Sequence, residues 1–153
     1  MSSDRTYAPT MSLVPVHATA KAAADRFAGD VWVDAITNGA GPGCARLATV
    51  HFAPGARTAW HCHAHGQTLQ VTEGAGVVQA RDGQTIVIRP GDTVYTPPGV
   101  WHWHGALPDS FMTHLALADT STRPDSGDVE WGQHVSESEY DDATADSSKG
   151  RNK

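Results

Sequence analysis

From Val31 onward, apolar and polar positions alternate in short runs. A period of two places successive side chains on opposite faces, so these runs predict strands rather than helices. Residues 31–36 form the first, ended by the turn-rich segment Asn38-Gly39-Ala40-Gly41-Pro42-Gly43. Residues 45–52 form the second, broken by Pro54-Gly55. A third begins near Ala59 and carries His61 and His63, and residues 68–72 continue the sheet. Residues 76–81 and 84–88 flank Asp82-Gly83, the clearest hairpin signal in the chain. The turns Pro90-Gly91-Asp92 and Pro97-Pro98-Gly99 isolate a strand over 93–96. Residues 100–106 and 111–118 make the next pair, and Val129-Glu130-Trp131 follows a polar loop. Helix is confined to single turns, one in the Ala-rich patch at 19–24 and one at 136–140. Many short strands with regular turns predict an all-β sandwich or barrel.

A chain of 153 residues supports one domain. The expected organisation is a weakly ordered lead-in over 1–24, a folded domain over 25–140 and a disordered polar tail over 141–153. Formal net charge is −6, and nine of the 17 acidic residues lie between Asp119 and Asp146, opposed only by Arg123. That stretch predicts a solvated acidic surface, and no basic stripe exists to engage nucleic acid. No window approaches the ~18 consecutive apolar residues of a membrane span. The N-terminus lacks the apolar core of a secretory signal. With Cys44 and Cys62 read as reduced, the expectation is a cytoplasmic protein.

Chemistry enters with the histidines. There are nine, and seven fall between His51 and His114. His61 and His63 share a strand face, as do His102 and His104. A lone histidine is more often structural, but His61, His63, Gln67 and His102, drawn from two separated segments, form a ligand set for a divalent cation. The uncommon member is Gln67. A carboxylate there would leave a formal +1 on the site, whereas a neutral amide leaves +2 and a stronger Lewis acid. His51 alternates with Val50 and Phe52 and is expected outward. His65 shares the ligands' parity but lies in the loop before Gly66, which makes it a poor candidate. Trp60, Trp101 and Trp103 are read as packing residues, and Arg57 as half of an ion pair beside a turn.

The spacing Gly55-x5-His61-x-His63-x3-Gln67-x6-Gly74 resembles the first cupin motif, and Gly91-x5-Pro97-x-Gly99-x2-His102-x3-Ala106 resembles the second. Two positions depart from the pattern: Gln67 stands where Glu is usual, and Ala106 where Asn is usual. Pro54 to His61, Gly66-Gln67-Thr68-Leu69, His102-Trp103-His104-Gly105, Met112 to Ala116 and Val129-Glu130-Trp131 are similar to small bacterial cupins with hydroxynitrile lyase activity. The likeness spans about residues 25–140. It implies a small jelly-roll β-barrel with manganese held by His61, His63, Gln67 and His102, although iron, zinc, nickel or cobalt suit the same donors. It also implies catalytic roles for His104 and His114, a substrate pocket lined by Ala48, Val50, Met112 and Ala118, and assembly as a dimer or tetramer.

These residue types suit cleavage of a cyanohydrin to an aldehyde and cyanide. A divalent ion on the hydroxyl oxygen lowers its pKa, and an imidazole with a reference pKa of ~6.5 is a serviceable base. Oxidative chemistry on iron is the alternative. Gln67 counts against it, because removing an anionic ligand makes electron transfer to oxygen harder. A stand-alone module that binds a small molecule without turnover is the third reading.

Overall fold

A computed structural model of the chain describes residues 9–39, 45–119 and 127–145. The strands are β1 (Ala20–Lys21), β2 (Phe27–Ala28), β3 (Val31–Asn38), β4 (Arg46–Phe52), β5 (Arg57–Thr58), β6 (His61–His63) and β7 (Gln67–Gly74). They continue with β8 (Gly76–Ala80), β9 (Thr85–Ile88), β10 (Thr93–Thr96), β11 (His102–Ala106), β12 (Met112–Ala118) and β13 (Val129–Trp131), and these are followed by α1 (Glu137–Thr144), the one helix among the described residues. All strand pairings are antiparallel. They build a six-stranded sheet ordered β1-β3-β4-β12-β7-β10, and a second sheet ordered β13-β6-β11-β5-β2 in which β8 bridges β11 and β9. This is the all-β architecture that the alternation predicts, folded as the jelly roll that the resemblance implies.

The two inner faces enclose an apolar core of Val31, Val50, Phe52, Leu69, Val71, Val78, Ile88, Ala106 and Met112. Alternation on β7 shows the cause: Gln67, Leu69 and Val71 are buried while Gln70 and Thr72 are exposed. β11 is buried on both faces, because a second apolar cluster covers its outer side. There α1 supplies Tyr140 and Ala143, which pack with Trp60, Val77, Trp103 and Leu107. The Tyr140 hydroxyl donates to the Ala106 carbonyl at 2.7 Å, and the Arg57 guanidinium lies 4.2 Å from the Tyr140 ring while pairing with Glu137 at 3.0 Å.

Two local readings change. The Ala-rich patch at 19–24 forms no helical turn. Instead Ala20 and Lys21 pair with Val33 and Trp32 at the edge of the sheet, where β3 offers a ladder of hydrogen bonds that outweighs alanine's helix propensity. The final helix does not stop at Tyr140. A capping box between Ser136 and Glu139 starts it, and burial of Ala143 and Thr144 carries it to Thr144. Four residues of the expected tail are therefore helical, while 146–153, the first eight residues of the lead-in and Cys44 fall outside the described residues. The Asp82-Gly83 hairpin forms as predicted, with Gly83 at φ 98° and the Asp82 carboxylate accepting from the Gln84 amide.

Candidate metal centre

Register brings the histidines together. His61 on β6 stands directly opposite His102 on β11, and His104 follows on the same inward face two residues along. The His61 and His102 ring centroids are 4.4 Å apart, His61 and His63 5.2 Å, and His63 and His102 5.8 Å. Gln67 arrives from the other sheet as the first residue of β7, and its Oε1 lies 3.4 Å from His102 Nε2. All four expected ligands are buried and meet across the mouth of the barrel.

Ring orientation is set by backbone. His61 Nδ1 donates to the Ala59 carbonyl and His102 Nδ1 to the Val100 carbonyl, both at 2.9 Å. Each bond leaves Nε2 as a lone pair turned inward, the arrangement by which metal-binding histidines are usually oriented. The His102 lone pair then faces the side-chain amide of Gln67, whose oxygen would join that nitrogen on a shared cation. His63 Nε2 and His104 Nε2 are buried without a hydrogen-bond partner, which is costly for a polar atom unless something further engages it. Uncharged N and O donors converging in this way fit a divalent ion.

His104 enters this group more closely than the sequence suggests. Ligand atoms of His61, His102 and His104 lie within 4.8 Å of one another, a trio that can hold a metal. His104 Nδ1 is 3.1 Å from His114 Nε2, so the expected catalytic pair is a hydrogen-bonded unit beside the ligands. Burial is the main cause that pushes His61 and His104 well below the ordinary histidine range. It takes His63 and His114 to about 4 and lowers His102 as well. Neighbouring imidazoles push His61, His63 and His104 the same way, while Gln67 partly offsets the shift at His61 and His63. At neutral pH the cluster is therefore uncharged, the form that offers lone pairs.

Of the expected pocket residues, Val50 is buried opposite His114, and Ala48, half-buried, lies opposite Ala116. Ala118 ends β12 opposite Arg46. Met112 is wholly buried in the apolar core, its sulfur against Gly76. Three aromatic residues without an assigned role in the sequence also shape the site. Trp131 stacks on His61 at 4.7 Å, and Phe52 sits 5.9 Å from His104 and 5.2 Å from His114. Phe27 closes the group against both Phe52 and Trp131. Strand parity marks Phe52 as inward, but nothing local ties Trp131 to His61, since their opposition depends on β13 pairing with β6.

The other histidines lie apart. His51 binds Asp34 at 2.8 Å and Thr113 at 3.2 Å on the outer face, and His65 pairs with Asp128 at 3.6 Å. Cys62 points away from the ligands, with its sulfur 4.0 Å from the Glu130 carboxylate. Trp103 donates to Gln79 at 2.9 Å in the cluster under α1.

The model of the cupin domain matches residues 48–115. The chain is also 46% identical over 123 residues, covering 80% of its length and 92% of the relative, to (R)-mandelonitrile lyase of Granulicella tundricola. It belongs to the cupin family. A solved cupin-like protein of Thermotoga maritima shares 40% identity with this cupin at a TM-score of 0.75, covering 81% of the present chain and 92% of the other. A polyketide cyclase of Streptomyces resistomycificus shares the fold at 22% identity and a TM-score of 0.63, over 86% and 92% of the two chains. No helix among the described residues is long and apolar enough to cross a membrane.

Proposed function

We propose that this cupin is a metal-dependent lyase of the hydroxynitrile lyase type, cleaving an aromatic cyanohydrin to aldehyde and cyanide and catalysing the reverse addition. The observation that carries the reading is the inward array of uncharged donors, His61, His63, Gln67 and His102, set against the hydrogen-bonded pair His104 and His114. The 46% identity to (R)-mandelonitrile lyase supports the substrate class. Manganese is the proposed ion. When bound, it supplies Lewis acidity towards the hydroxyl oxygen.

The chain's own residues do the rest. His104 Nε2, unpartnered and buried beside the ligands, takes the hydroxyl proton. The electron pair left on oxygen forms the carbonyl as the carbon–cyanide bond breaks, and the imidazolium returns the proton to the departing cyanide. Burial keeps His104 neutral before the step and makes its protonated form a ready donor afterwards. His114 holds the His104 ring through Nδ1. Phe52 and Trp131 flank the imidazoles with apolar surface that excludes water.

The test is metal analysis of the purified chain followed by anaerobic assay on (R)-mandelonitrile. Benzaldehyde and cyanide formed without oxygen support the lyase. No product from the manganese-loaded protein, together with oxygen uptake by an iron-loaded sample, overturns it in favour of oxidative chemistry.

A further inference from the structure

Away from the metal centre, the outer side of the second sheet holds a cleft of about 470 Å³ lined by Trp60, Arg81, Trp101, Gly132, Gln133 and Glu139. That volume lies within the ~300–1,000 Å³ of small-molecule sites. The cleft opens beside α1, where Trp60 joins the cluster under the helix and Trp101 packs against that cluster. None of its lining residues belongs to the histidine array. Backbone bonds tie the walls together. The Gly132 amide donates to the Trp60 carbonyl at 2.7 Å, the Trp60 amide to the Gln133 carbonyl at 2.9 Å, and the Arg81 amide to the Trp101 carbonyl at 2.9 Å.

The chemistry of the walls is selective. The Arg81 guanidinium lies over two indoles, 4.5 Å from the Trp101 ring centroid and 5.5 Å from that of Trp60. A guanidinium stacked in this way uses its face, so its in-plane N–H donors stay available to a carboxylate. Among the described residues none takes them, since the Arg81 side chain forms no ion pair or hydrogen bond. Glu139, also in the wall, accepts from the Ser136 amide through Oε1 as part of the capping box. Its Oε2 has no partner among the described residues. Opposite charges thus line one cleft without pairing with each other. Gly132 keeps the space clear, because a Cβ there would lie 3.0 Å from Cζ3 of Trp101.

We propose that this cleft binds a free aromatic α-amino acid, its carboxylate on the Arg81 fork, its ammonium at Glu139 and its ring against the indoles. The two charged ends of such a ligand meet the two charges that the fold leaves unpaired. A carboxylate held by the fork of a stacked guanidinium comes to rest beside the same indole, so the ring attached to it meets aromatic surface. A simple anion leaves Glu139 unmatched, and a simple cation leaves Arg81 so. The site is separate from the metal centre, and the inference is independent of the lyase reading.

Heteronuclear NMR of the indole N–H groups in the full chain, titrated with L-phenylalanine, is the test. Trp101→Phe and Trp131→Phe assign the two signals that matter. Trp131 stacks on His61 and so reports the metal centre, while Trp101 reports the cleft. L-Phenylalanine is expected to shift the Trp101 signal saturably and to leave Trp131 in place. Arg81→Gln and Glu139→Gln should each weaken that binding by about tenfold or more, the usual scale for losing a hydrogen bond to a charged group. Glutamine still serves in a capping box, so Glu139→Gln retains α1, and unchanged far-UV circular dichroism checks both variants. 3-Phenylpropanoate, which lacks the ammonium, should bind the unaltered chain about tenfold more weakly or worse for the same reason. A Trp101 signal that L-phenylalanine leaves unmoved at millimolar concentration overturns the proposal, as does a shift at Trp131 alone. So does equal binding of 3-phenylpropanoate, or an affinity that either variant leaves unchanged.

Discussion

Gln67 is the residue on which the chemistry of the site turns. It was legible in the sequence as a departure from the usual carboxylate, and its side chain lies against His102. Replacing it by Glu removes one unit of positive charge from the loaded site. Gln67→Glu is therefore expected to hold its metal more tightly, measured as metal retained on dialysis against chelator, and to cleave (R)-mandelonitrile more slowly. A faster variant would refute the electrostatic argument. His104 gives a second measurement. His104→Gln is expected to lower kcat by about 10²–10⁴, the usual range for losing a general base, while metal content stays constant. Loss of metal instead would assign His104 to the ligand trio, which the 4.8 Å grouping also permits. The sequence showed that His104 shares a face with His102, but the hydrogen bond to His114 joins residues ten apart on different sheets and had no local signal.

Strands and turns were legible because alternation and Gly/Pro spacing are local properties. Gly74, the last glycine of the first motif, shows what such spacing encodes. It ends β7 at φ +74°, and a Cβ there would lie 1.8 Å from the Phe111 carbonyl oxygen. Gly74→Ala combines left-handed backbone strain with overpacking and is expected to cost at least about 2 kcal/mol in urea denaturation. The helix was only half legible, because its last turn is held by the burial of Ala143 and Thr144, a tertiary contact that no local pattern records. Its docking predicts an alkaline limit. Burial pushes the Tyr140 phenol up to about 12, above its unfolded value of about 10. The stability this group contributes is therefore complete below pH 10 and is lost as pH rises through 12. Denaturation of the unaltered chain and of Tyr140→Phe should show that slope in the former only.

At the scale of the molecule, the ligands come from two sheets, so an ion held between them should stabilise the whole barrel. Saturation at about 100 times the dissociation constant contributes about 2.7 kcal/mol, roughly 5–10 °C in Tm for a domain of this size. Calorimetry of the manganese-loaded chain with and without chelator measures it, and an unchanged Tm would count against a resident metal. The amino-acid sequence by itself determined the fold class, most strand positions and the four candidate ligands, because period-two alternation, turn chemistry and motif spacing are written within a few residues of each other. Only the tertiary structure decided that His104 approaches the ligands, that Trp131 stacks on His61 and that residues 20–21 are strand. Those outcomes depend on which strands lie side by side, a choice made by burial across the whole molecule that no local pattern records.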